Sequence, residues 1–195
     1  MFRVLERTQI GVFKRTKHLA KGFFFIMKYL RNLVLFIFIS ITTYASAFES
    51  TYFVINCNDG DTCRLRNTDN INIKIRLISI DAPEIAQGKK KKGQPMGTES
   101  KIFLNSLIKG KSVKVKNYSQ DHFGRNLSEL FLDNININLK MVASGMAEVY
   151  HGKINPEVSI EKYNIAEKKA KKIKLGIWSL PDYESPSQWR KNNKK

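Results

Sequence analysis

The chain has 195 residues, with 34 Lys and Arg against 17 Asp and Glu, a formal charge of +17 and two cysteines. That length suits one domain around a single core, and the charge suits a polyanionic partner, drawn by electrostatic steering and held with counterion release. Cysteines at 57 and 63, with no second pair and no nearby histidine, argue against a zinc site.

The first 47 residues differ from the rest. Residues 1–26 carry Arg3, Arg7, Lys14, Arg15, Lys17 and Lys21, which reads either as a start placed too early, with Met27 the real beginning, or as a basic presequence. From Met27 the chain runs Lys28-Tyr29-Leu30-Arg31, an apolar run from Leu33 to Ile41, then Ala45-Ser46-Ala47. A positive segment, a short apolar segment and an Ala-x-Ala site predict an export leader cleaved after Ala47. The alternative is a membrane anchor at residues 33–44. Removing residues 1–47 takes away eight basic residues and one acid, leaving 26 and 16, or +10 over 148 residues.

Thr51 to Ile55, Cys63 to Arg66 and Ile71 to Ile80 read as strands, the last from its alternation between Ile71 and Leu77. Asp59-Gly60 marks a turn, since both residues tolerate positive φ. Cys57 and Cys63 lie at equal offsets from Gly60, so on paired strands they face each other, as a disulfide in an oxidising compartment or as two free thiols. Asp61 and Asp81 fall at the ends of neighbouring strands. Two carboxylates held close repel, and a divalent cation is the simplest way to keep both ionised.

Gln87 to Gly97 holds four lysines, three glycines and a proline, a solvated loop that could also guide a nucleic-acid strand. A helix starts at Thr98, turns Ile102, Phe103, Leu107 and Ile108 inward, and stops at Gly110. Lys111 to Tyr118 is a strand, Asp121 to Gly124 a turn, and Asn126 to Leu132 a strand. A hairpin at Asp133-Asn134 leads to Ile135–Asn138. Leu139 to Ser144 is a short helix ended by Gly145. Pro156 to Lys174 is a longer one, with Val158, Ile165, Ala166, Ala170 and Ile173 inward and lysines outside. No internal repeat is present. The pattern is α+β: a five-stranded OB-type β-barrel with about three α-helices over residues 48–180, followed by a polar, basic tail at 181–195 expected to be flexible or loosely docked.

Three motifs occur in a telling order: Asp59-Gly60-Asp61-Thr62, then Arg76-x4-Asp81-Ala82-Pro83-Glu84, then Asp121-His122-Phe123-Gly124-Arg125. A basic helical part ending Leu175-Gly176-Ile177-Trp178-Ser179 follows. Together they resemble the staphylococcal nuclease (thermonuclease) family over roughly residues 51–180. The resemblance implies Ca²⁺ held by Asp61, Asp81 and the Ala82 carbonyl, with Asp59 near it through water. It implies Glu84 as general base or water-orienting group, and Arg76 and Arg125 as phosphate-binding forks. The implied activity is an exported, Ca²⁺-dependent endonuclease. It would hydrolyse DNA and also RNA with little sequence specificity, leave 3′-phosphates, and act as a monomer without a protein partner, meeting the membrane only transiently through its leader. Phe123 stands where staphylococcal members carry Tyr. Tyr150 could stack on a base or finish a core, and neither it nor His151 has a secure register. His122 reads as an exposed turn residue. The alternative is a catalytically inactive OB-type nucleic-acid-binding module. Such a module is expected to lose Glu84 or an arginine, and this chain keeps all five residues.

Overall fold

The computed structural model describes residues 50–86, 88 and 92–193, together with Leu30. The expected leader at 1–47, and the alternative anchor at 33–44, lie outside the described residues apart from Leu30. Among the described residues no helix is long and apolar enough to cross a membrane.

Strands β1 (Ser50–Cys57), β2 (Thr62–Arg66) and β3 (Asn72–Leu77) form an antiparallel meander. A two-residue strand β4 (Ile80–Asp81), helix α1 (Gly97–Ile108), β5 (Ser112–Gln120) and β6 (Asn126–Leu132) follow. β5 pairs with both β1 and β6, and β6 closes on β3 in parallel, with Arg76 opposite Leu127. Five strands therefore make a closed, OB-type barrel, which removes the free edges of an open sheet. Period-two alternation puts Val54, Leu65, Ile75, Leu77, Val113, Val115 and Leu130 inside. At Asp133 and Asn134 φ is 48° and 66°, the left-handed pair that a tight two-residue hairpin needs. It leads into β7 (Ile135–Asn136) and α2 (Ile137–Ala143), followed by β8 (Glu148–Val149), α3 (Ile160–Lys172), a 3₁₀ turn (Gly176–Ser179) and α4 (Pro186–Asn192). Cys57 and Cys63 are partners in the β1–β2 register and are disulfide-bonded.

The single strand expected from Ile71 to Ile80 is two. Ser79 takes φ 66° and turns the chain out of the barrel, so that β4 pairs instead with β8, Asp81 opposite Glu148. Asn138, fully buried in α2, secures the break by donating to the Ile78 and Ser128 carbonyls and accepting from Leu130 N–H. The helix faces also differ from expectation. In α3 the inward residues are Tyr163, Glu167 and Ala170, while Ile165 and Ile173 face solvent. Spacings of four and three put 163, 167 and 170 on one stripe, and the Tyr163 hydroxyl donates to Glu129 Oε1 at 2.6 Å, which sets the rotation. In α1, Leu104 and Ile108 are buried and Ile102 is exposed.

Four α-helices occur among the described residues, one more than the pattern suggests, and the extra one is α4 in the tail. Ser185 caps it by accepting from Gln188 N–H at 3.1 Å, and Pro186 at its first turn is buried. The tail at 182–193 is therefore ordered against the barrel domain rather than loose.

Candidate active site

The Asp59-Gly60 turn is built for the residue after it. Asp59 Oδ1 accepts the backbone N–H groups of Asp61 and Thr62, at 3.0 and 2.6 Å. Gly60 is required by space rather than by φ, since a Cβ there would run into Ser100 Oγ and come within 2.6 Å of Ala82 Cβ. This close approach presses the turn against the Asp81-Ala82 segment. The β2–β3 register then sets Arg76 opposite Thr62, beside Asp61.

Asp61 and Asp81 are both buried. Thr62 Oγ1 donates to Asp61 Oδ1 at 3.1 Å and Ala82 N–H to Asp61 Oδ2 at 2.9 Å. The Arg76 guanidinium lies between the two acids. Nη2 donates to Asp81 Oδ1 at 3.0 Å, while Nη1 faces Asp61 Oδ2 at 2.5 Å without the alignment of a hydrogen bond, so that second contact is charge pairing. Burial pushes the Asp61 carboxyl up to about 6, with Arg76 pulling the other way and Asp59 adding to the rise.

Arg125 stands one hydroxyl away. Its Nη1 donates to Thr62 Oγ1 at 3.4 Å, and Asp121 holds it through Nε and Nη2, both at 2.8 Å. Burial would raise the Asp121 carboxyl, but hydrogen bonds from the Arg125 backbone and side chain outweigh it and hold the group below the usual range. The Phe123 ring packs beside the Arg125 guanidinium, 5.4 Å from centroid to Cζ.

Asp61, Arg76 and Asp81 are thus brought together, with Arg125 joined through Thr62, and Glu84 shares with Asp81 a contact to Arg190. Ala82 contributes its N–H to Asp61. Sequence reasoning missed Arg190. From α4 its Nη1 donates to Asp81 Oδ1 at 3.1 Å and to Glu84 Oε1 at 2.9 Å, and its Nη2 donates to Asp81 Oδ2 at 2.7 Å. The local signal was Ser185-Pro186, a helix start that would have made the tail ordered, though nothing local says where its arginine points. Tyr150 is 38% exposed, so it does not finish the core, and its N–H donates to the Ser79 carbonyl. His122 and His151 are exposed.

Among the described residues no group of three or more His, Cys, Asp or Glu is placed to hold a metal. A cation here would have two buried carboxylates, backbone carbonyl and water. That oxygen-only set suits a hard cation tolerant of irregular geometry, and Asp61 and Asp81 are both buried and share the Arg76 guanidinium.

A closed OB-type barrel carrying buried acids interleaved with arginines at the β2–β3 end defines a class. The model of the staphylococcal nuclease homologues matches residues 74–180. The chain is 32% identical over 167 residues to an uncharacterized endonuclease of Haemophilus influenzae, covering 86% of this chain and 87% of that one. It is 33% identical over 144 residues to an uncharacterized endonuclease of Escherichia coli O157:H7, covering 70% and 82%. A probable endonuclease of Vanderwaltozyma polyspora is 37% identical over 137 residues, covering 67% of this chain and 49% of that one. The chain belongs to the staphylococcal nuclease family.

Proposed function

We propose that this protein is a Ca²⁺-dependent endonuclease that cleaves phosphodiester bonds in DNA and RNA with little sequence specificity and leaves 3′-phosphates. One observation carries the reading: the Arg76 guanidinium lies between buried Asp61 and Asp81, and Glu84 is three residues beyond Asp81. Phosphodiester hydrolysis needs an oriented water, a proton acceptor and positive charge where the transition state gathers negative charge. Glu84 is the acceptor or water-orienting group. Arg76 and Arg125 present planar forks to phosphate oxygens. Asp61, Asp81 and the Ala82 carbonyl would hold the cation, whose chemistry is to polarise the phosphate and lower the pKa of a nearby water. Export is part of the same proposal, supported by Ala45-Ser46-Ala47 and by a disulfide, which persists in oxidising compartments.

The test uses the purified chain with plasmid and single-stranded DNA and with RNA, in Ca²⁺, Mg²⁺ or chelator, and maps the product ends. Ca²⁺-dependent cleavage leaving 3′-phosphates is expected. Binding without cleavage in any cation refutes the proposal and leaves a nucleic-acid-binding module. Glu84→Gln and Arg125→Ala should each keep the fold and lose about 10²-fold or more in kcat. A variant cleaving at near wild-type rate removes that residue's assigned role.

A further inference from the structure

We propose that residues 182–193 are a strap belonging to the active site, with Arg190 as a positioning residue that holds Asp81 and Glu84 in alignment. The inference rests on the nuclease reading above.

The strap is tied at several points, and each tie leads to the Asp81–Glu84 segment. Gln94, buried in the loop after Glu84, donates from Nε2 to the Glu184 carbonyl at 2.6 Å. The same side chain accepts the Glu84 N–H through Oε1 at 3.2 Å, while Gln94 N–H donates to the Glu84 carbonyl at 2.8 Å. One amide side chain therefore couples the Glu84 backbone to the strap. Tyr183 donates its hydroxyl to Glu148 Oε2 at 2.6 Å, and Glu148 is the β8 partner of Asp81. Arg190 completes the set on the side-chain side, with one guanidinium fork on both oxygens of Asp81 and on Glu84 Oε1.

That arrangement is more than anchoring requires. Pro186 is buried and Tyr183 is hydrogen-bonded, so the short helix is held without the arginine. The Arg190 side chain is 36% exposed and its partner Asp81 only 2%. A half-solvated arginine reaching a buried acid has little packing to gain, and its planar fork fixes the carboxylate rotamer as a point charge cannot. With Arg76 on Asp81 Oδ1 as well, two guanidinium groups fix the plane of that carboxylate. Arg190 also carries that constraint to Glu84, a group whose reach to a water must be set to within a fraction of an ångström.

A guanidinium this close to Asp81 also opposes a cation on the same acid, which gives the proposal a signature that mere folding lacks. The full chain, wild type and Arg190→Ala, is compared by calorimetric titration with CaCl₂ after chelation, by thermal melting, and by steady-state cleavage of an oligonucleotide at saturating Ca²⁺. Arg190→Ala should bind Ca²⁺ several-fold more tightly yet turn over about tenfold or more slowly, with KM changed less than about threefold. Arg190→Lys restores the charge without the fork, so it should return Ca²⁺ affinity toward wild type and leave most of the kcat loss. Unchanged kcat in Arg190→Ala overturns the proposal, because the arginine then only stands where a cation goes. A raised KM at constant kcat also overturns it, making Arg190 a substrate contact. A lowered Tm together with weaker Ca²⁺ binding overturns it in favour of a purely structural tail. If the wild type cleaves nothing, the nuclease reading fails separately, and unaltered Ca²⁺ affinity in Arg190→Ala then still refutes the Arg190–Asp81 coupling.

Discussion

Arg76 stands between two carboxylates that are both shielded from water, and its own side chain is only 13% exposed. Lysine would bring the same charge on one ammonium, able to reach Asp61 or Asp81 but not to span them. A hydrogen bond to a charged group contributes about 1.5–3 kcal/mol, so Arg76→Lys should cost about 2 kcal/mol. Arg76→Ala strands buried charge and should cost about 3–5 kcal/mol. For a domain of this size each kcal/mol moves Tm by about 2–4 °C, so the lysine variant should melt about 4–8 °C lower and the alanine variant lower still. Because Arg190 still pairs with Asp81, the Arg76→Ala, Arg190→Ala double variant should lose more than the two single losses added. The assay is thermal melting followed by circular dichroism in excess chelator, repeated with Ca²⁺, which by binding the native state should narrow the gap to wild type. An Arg76→Ala protein melting within about 1 °C of wild type in chelator would refute the reasoning, since it would mean the carboxylates do not need that charge.

Three further outcomes follow from the geometry. Gly60→Ala puts a Cβ against Ser100 and Ala82. It should cost about 1–3 kcal/mol in a denaturant titration and lower activity with it, whereas unchanged values would mean the turn is free to shift. Tyr118, Tyr163 and Tyr183 are raised above the ordinary tyrosine range by burial first and then by hydrogen bonds to Glu129 or Glu148. A raised folded pKa contributes stability that is whole below the unfolded value of 10.0 and fades as pH climbs past it. Alkaline unfolding should therefore begin above pH 10, with these three phenols ionising only as the fold opens in an ultraviolet titration. Early ionisation of all three would remove the argument. Asp121 runs the other way: its folded pKa is depressed, so its contribution is present above the ordinary carboxylate pKa of about 3.9 and is lost as pH falls through the folded value. Asp121→Asn should therefore flatten the acid limb of the stability curve below about pH 4. Above that it should act as a uniform loss, with turnover reduced because Arg125 is no longer held.

Much of this protein is written locally. Alternating residues in β2, β3 and β5 announce strands with one buried face, because side-chain direction in a strand depends only on the neighbouring position. Asp59-Gly60-Asp61 announces a turn, although the glycine serves a tight contact with Ser100 and not a left-handed backbone. The grouping of Asp61, Arg76, Asp81 and Glu84 was legible because all four fall within one hairpin and the strand end that follows. What the chain does not write locally is rotation and reach. The phase of α3 was misjudged from Ile165 and Ile173, because the side chain that decides it, Tyr163, answers to Glu129, 34 residues away. The strand expected through Ile80 breaks at Ser79, because β4 finds its partner in β8 and Asn138 secures the bend. Arg190 reaches Asp81 across 109 residues. Periodicity and turn chemistry are properties of a few adjacent residues and survive in the sequence. A contact between distant residues depends on how a closed barrel and its helices pack as a whole, and only the folded chain sets that distance.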